Sequence, residues 1–88
     1  MLKPVYLRQF EKEIEKAQKR GKNMVKLKSI IRLLLNDETL PIKNQNHKLK
    51  GEFKDCWECH IEPDWLLVYK KTETEIVFVR TGSHSDLF

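Results

Sequence analysis

The spacing of apolar residues changes once along this chain, from a helical period to a strand period, and that change limits the folds open to it. Leu7, Phe10, Ile14 and Ala17 recur at i, i+3, i+7 and i+10, which is one face of a helix, while Glu11, Lys12, Glu13, Glu15 and Lys16 cover the other faces. Pro4 suits the first turn of that helix. Gly21 is expected to end it, and Asn23 to cap the next one. In the second helix Met24, Leu27, Ile31 and Leu34 repeat the spacing. Ile30, Leu33 and Leu35 broaden the stripe, so this helix should be the more buried, and Asn36-Asp37 should close it. Two amphipathic helices joined by a short turn must bury both stripes against something else.

The second half supplies that surface. Lys43 to Lys48 reads as a polar loop, Phe53 to Glu62 as extended, Pro63-Asp64 as a turn, Trp65 to Tyr69 as a strand, Lys71 to Thr74 as a polar connection and Glu75 to Arg80 as another strand. Gly82 ends that strand and leaves a short tail, Ser83 to Phe88. The expected class is α+β: two N-terminal helices packed on one face of a twisted antiparallel meander. A chain of 88 residues has room for one core, so residues 1–88 are expected to form a single domain.

Composition narrows the function classes. With 40% apolar and 34% charged residues the chain is neither disordered nor fibrous. No run approaches the roughly 18–20 apolar residues of a membrane span. Met1-Leu2-Lys3-Pro4 has no apolar export core and two cysteines make no disulfide scaffold, so a reducing cytoplasm is the expected compartment. The net charge of +4 divides into +8 over residues 1–50 and −4 over residues 51–88. A basic half suggests a polyanion, most simply nucleic acid, with Lys26, Lys28, Arg32, Lys48 and Lys50 as candidate contacts; a solvated helix surface is the plainer alternative.

Cys56-x-x-Cys59 invites a zinc reading with His47, His60 or His84 as partners. On an extended segment, however, the two thiols point to opposite faces, and no second pair exists, so no metal site is assigned. The histidines say more. Glu58 and His60 share one strand face, expected to be the solvent side, with Trp57, Cys59 and Ile61 opposite. The meander brings Asp64, Arg80 and His84 toward one end of the sheet, within reach of His47. Imidazoles near neutrality exchange protons, arginine grips phosphate, and carboxylates orient imidazoles. That inventory suits cleavage of RNA through its own 2′-hydroxyl, which needs no cofactor; three unrelated surface histidines are the alternative. Trp65 is open to two readings, core residue or base-stacking platform, and Phe88 likewise.

The segments His47-Lys48-Leu49-Lys50-Gly51, Glu58 to Tyr69 and Arg80 to Phe88 together resemble the YafQ-like branch of the RelE toxin superfamily, over nearly the full chain. The resemblance implies a type II toxin–antitoxin toxin, an endoribonuclease that cuts mRNA, commonly on ribosomes, and stops translation. It implies a cognate antitoxin as partner, with operator DNA bound only through the toxin–antitoxin complex. It implies catalytic roles for His47, His60, His84, Asp64 and Phe88, a phosphate-facing Arg80 and an acid at Glu58. The RelE branch proper uses Lys, Arg and Tyr instead, and Tyr69 does not replace that tyrosine. His60 is taken as base and His84 as acid, with His47 in support. A non-catalytic binding module is the alternative function.

Overall fold

A computed structural model describes residues 1–88, except for the side chain of Glu52. Its first element is a strand. Lys3–Tyr6 forms β1, and the first helix, α1, runs Arg8–Lys19. Pro4 therefore sits in an edge strand, opposite Ile76, and not in a helical turn. An edge position tolerates a residue with no N–H. Tyr6 stacks on Phe78 with ring centroids 5.3 Å apart, which seats β1 against the last strand.

The helical hairpin follows the expected pattern, except that Leu7 precedes α1 as its N-cap and is exposed. Gly21 adopts a φ of 77°, and the N–H of Lys22 reaches back to the Ala17 carbonyl at 3.1 Å, closing α1. The second helix, α2, runs Met24–Leu35, and the Asn23 side chain accepts the Val25 N–H at 3.1 Å. It buries Leu27, Ile30 and Leu34, each worth about 1.5–3 kcal/mol of transfer free energy. Asn36 and Asp37 close it, Asp37 in the left-handed region.

The remaining strands are β2 (His47–Lys48), β3 (Trp57–Glu62), β4 (Trp65–Lys71) and β5 (Glu75–Gly82), and the sheet order is β1-β5-β4-β3-β2. The antiparallel meander β3-β4-β5 is the centre of the sheet. β1 adds to it in parallel and β2 antiparallel, so the sheet is mixed. Pro63 and Asp64 form the two-residue link between β3 and β4, whose ends pair Glu62 with Trp65.

Both faces of the sheet are covered, not one. Trp65 to Tyr69 is buried without interruption, because alternate residues enter different clusters. Trp65, Leu67 and Tyr69 join Phe10, Leu27 and Phe78 in the main core under α1 and α2. Leu66 and Val68 join Cys56 and Leu87 on the other face. The tail forms a single helical turn, α3 (His84–Leu87), which delivers Leu87 to that second cluster. Ser83 and Asp86 make a reciprocal capping box at its start. A Cβ on Gly82 would meet the Asp86 Cβ at 3.0 Å, so the residue at 82 must be small for α3 to fold back. Among the described residues no helix is long and apolar enough to cross a membrane.

Candidate active site

Three elements meet over the outer face of the sheet. β3 presents Glu58 and His60 two residues apart on that face. β2 pairs His47 with Glu58 in register. α3 brings His84 back beside the β3–β4 turn. The three imidazoles form a row: centroids are 6.4 Å apart from His47 to His60 and 5.7 Å apart from His60 to His84.

One carboxylate sits between the first two rings and another holds the far end of the row. Glu58 Oε1 lies 3.4 Å from His47 Nε2 and 3.7 Å from His60 Nε2. At the other end Asp64 Oδ1 lies 2.6 Å from His84 Nδ1 and accepts the His84 backbone N–H at 2.9 Å. Those two hydrogen bonds hold the Asp64 carboxyl below the usual carboxylate range, so it is ionised at neutral pH. Asp86 is held low in the same way, by the backbone and hydroxyl of Ser83.

Backbone carbonyls fix the tautomers of the first two rings. His47 Nδ1 lies 2.7 Å from the Gln45 carbonyl oxygen, and His60 Nδ1 lies 3.3 Å from that of Pro63. A carbonyl only accepts, so in each ring Nδ1 carries the hydrogen. The lone pair of the neutral ring is then on Nε2, the nitrogen facing Glu58. Such a ring can take a proton at Nε2 and meet a carboxylate once charged. In His84 Nδ1 also carries the hydrogen, donated to Asp64 in place of a carbonyl, and Nε2 has no hydrogen-bond partner among the described residues.

Glu58 departs from expectation in its surroundings. Its face is expected to be solvent, but the side chain is 7% exposed, because β2 brings His47 directly opposite it and His60 stands beside it on the same strand. A buried carboxylate is costly without partners, and the two imidazoles supply them. His60 is nearly as covered at 14%, while His47 at 49% stays open to ligand.

Trp65 is corrected from stacking platform to core. It is 1% exposed, and its indole N–H donates to the Thr81 hydroxyl at 3.0 Å. Its strand position, in phase with Leu67 and Tyr69, turns it toward α1. Arg80 lines a cleft of about 830 Å³ together with Asp64, but its fork is already engaged. Nε lies 3.0 Å from both Glu13 carboxylate oxygens and Nη2 2.7 Å from one of them. Glu13 also accepts the Thr81 N–H at 3.1 Å, satisfying the edge of β5 beyond the end of β1. Glu13 was not singled out from the sequence; an acid among alternating charges on a helix carries no signal of its partner. Phe88 remains 62% exposed, with its ring edge-on to Phe53 at 5.5 Å.

The expected basic contacts separate. Lys26 shares a groove with His60 and pairs with Glu62 at 3.1 Å. Lys48 and Lys50 are exposed close to His47 in the chain. Lys28 and Arg32 line a different groove, between α2 and α1, so α2 does not present one basic face. Cys56 and Cys59 enter different clusters on opposite sides of the sheet. Burial pushes the Cys59 thiol up to about 12, with the neighbouring Glu58 charge adding to it.

Known proteins are similar to this chain in sequence and in fold. A profile of the family described as "Bacterial toxin of type II toxin-antitoxin system, YafQ" matches residues 2–88. The mRNA interferase toxin YafQ of Escherichia coli K12 is 44% identical over 84 residues, covering 94% of this chain and 91% of the relative. The crystal structure of YafQ from E. coli strain BL21(DE3) superposes with a TM-score of 0.95 at 40% identity, covering 100% of this chain and 99% of the other. The toxin in the E. coli DinJ–YafQ toxin–antitoxin complex superposes with a TM-score of 0.93 at 42% identity, covering 99% and 97%. With sequence, fold and length in agreement, the chain belongs to the YafQ family of bacterial type II toxin–antitoxin toxins.

Proposed function

We propose that this protein is an endoribonuclease that cleaves mRNA, engaged on translating ribosomes, and so arrests protein synthesis and growth. The observation that carries the reading is the row of three imidazoles paired with two carboxylates. His60, with its hydrogen on Nδ1, takes the proton of a ribose 2′-hydroxyl at Nε2. The 2′-oxygen attacks the adjacent phosphorus and the bond to the 5′-oxygen breaks. His84, held through Nδ1 by Asp64, gives the leaving oxygen a proton from Nε2. The products are a 2′,3′-cyclic phosphate and a 5′-hydroxyl. Glu58 faces the imidazolium that forms on His60, as a buried carboxylate does for a histidine base.

His47 sits across Glu58 at the open end of the row and contacts the phosphate or assists the base. Arg80 reaches a phosphoryl oxygen only by sharing or leaving Glu13. Phe88 offers an exposed ring to a splayed base, and Lys26, in a groove with His60, together with the exposed Lys48 and Lys50, attracts the RNA backbone. No step calls on a metal or an organic cofactor. The partners are mRNA, the ribosome and a cognate antitoxin encoded beside the toxin, with operator DNA bound only through their complex. Action on mRNA puts the protein in the cytoplasm.

The test is induced expression of wild type and of the His60→Ala/His84→Ala double variant, with growth and new mRNA 5′ ends read by primer extension. Growth arrest and discrete 5′ ends are expected from wild type alone. A double variant as toxic as its parent overturns the assignment. A folded wild-type protein that binds RNA with ribosomes and EDTA present, yet cuts none, favours a binding module.

A further inference from the structure

Three consecutive loop residues, Asn44, Gln45 and Asn46, each bond to a different part of the candidate site's framework. Asn44 is buried at the end of a short helical turn, Ile42–Asn44, and its Nδ2 donates to the His60 carbonyl at 2.7 Å. Gln45, in the left-handed region at a φ of 47°, turns its carbonyl to His47 Nδ1 at 2.7 Å. Asn46 Oδ1 accepts the Tyr69 hydroxyl at 2.7 Å, which ties the loop to the central strand β4.

The first of these bonds falls where the sheet is least determined. β2 pairs with β3 only at His47–Glu58 and Lys48–Trp57, so it offers no partner to β3 beyond Glu58. The β3–β4 register slips between His60 and Glu62. On a strand without an outer neighbour, a bulge re-aims the side chains beside it, and ladder pairing alone does not set their direction. The Asn44 amide replaces the missing strand with one hydrogen bond, at the backbone of His60 itself. The next residue holds His47 by its ring. One rigid turn therefore sets two imidazoles relative to each other.

We infer that Asn44 is a positioning residue, which fixes the bulge of β3 so that His60 stands at its working distance from His47 and Glu58. It touches no reacting atom; it acts through the backbone of His60. The inference rests on the proposed ribonuclease reading for its kinetic consequence, but its structural consequence stands without it. Misplacing a proton-transferring group by about 1 Å costs on the order of a hundred-fold in rate while leaving substrate binding in place.

The experiment pairs RNA cleavage with imidazole NMR on wild type, Asn44→Leu, which fills the space without a donor, and Asn44→Ser, which is milder. Both readings are taken below the melting temperature of each variant. For Asn44→Leu kcat is expected to fall roughly ten- to hundred-fold with KM within about two-fold. The ring resonances of His47 and His60 should move while those of His84 stay. Should Asn44→Leu not fold, the same split is expected, smaller, in Asn44→Ser. Unmoved His47 and His60 resonances in a folded variant overturn the inference, and so does an unchanged kcat where wild type cleaves. If wild type cleaves no RNA, the ribonuclease reading has failed, and the resonances alone decide the role of Asn44.

Discussion

One oxygen of Asp64 accepts two hydrogen bonds from His84, from the backbone N–H at 2.9 Å and from Nδ1 at 2.6 Å. The first fixes where the residue sits and the second fixes which way its ring faces. A residue of the β3–β4 turn thus positions one from the C-terminal turn, and the ring presents Nε2 outward.

Replacing that oxygen should separate orientation from fold. Asp64→Asn is expected to cut RNA cleavage by about 10²–10⁴-fold. The global melting temperature at pH 7 should fall only slightly, because Asp64 is exposed and outside both clusters and its bonds to His84 hold only the C-terminal turn. Cleavage within about three-fold of wild type would mean that Asp64 does not orient a working His84.

Acid should loosen the C-terminal turn first. Asp64 and Asp86 both have carboxyls lowered in the fold by bonds at the start of α3. Their stabilisation is complete above the unfolded carboxylate value of about 3.9 and is lost as pH falls through the lower folded values. Hydrogen exchange at residues 83–88 should therefore accelerate below about pH 4, ahead of exchange in α2. Asp86→Asn should flatten that acid limb.

Alkali acts on the core. The Cys59 thiol and the Tyr69 hydroxyl are each pushed up to about 12, chiefly by burial. Both groups ionise first in the unfolded chain, near 9 and 10, so the fold loses stability as pH rises from there toward 12. A falling melting temperature over that range is expected, and a Cys59→Ala variant should lose part of the slope. Below pH 9 a thiol reagent should label neither cysteine until the chain unfolds, since both are buried.

Trp65 offers a test of core against ligand contact. Trp65→Phe removes the indole bond to Thr81 and part of a large buried ring, at a cost of about 1–3 kcal/mol. The melting temperature should fall, while kcat and KM measured below the transition should hold. A variant of unchanged stability that binds RNA more weakly would return Trp65 to the stacking role.

Glu58→Gln keeps the shape of a buried side chain and removes the charge shared by two imidazoles. Cleavage should fall by about 10²-fold or more, with the pH–rate profile displaced, because an imidazolium at His60 then loses its facing carboxylate. A variant with the wild-type profile would leave Glu58 as packing alone.

The sequence by itself determined what is local. Helical spacing, the Asn23 cap, the Gly21 stop and the Pro63-Asp64 turn are all written within a few residues, and the structure has each of them. The alternation along β3 likewise put Glu58 and His60 on one face. Tertiary structure decided whatever depends on residues distant in the chain. β1 forms because β5, some seventy residues later, offers it an edge. Glu58 is buried because β2, from a loop earlier in the chain, pairs His47 against a face that period-two alternation reads as solvent. Arg80 is occupied because Glu13, 67 positions earlier, stands where β1 ends. Period and propensity report which way a side chain points from its own backbone; what it meets there is set by where the rest of the chain has been folded, and no local pattern records that.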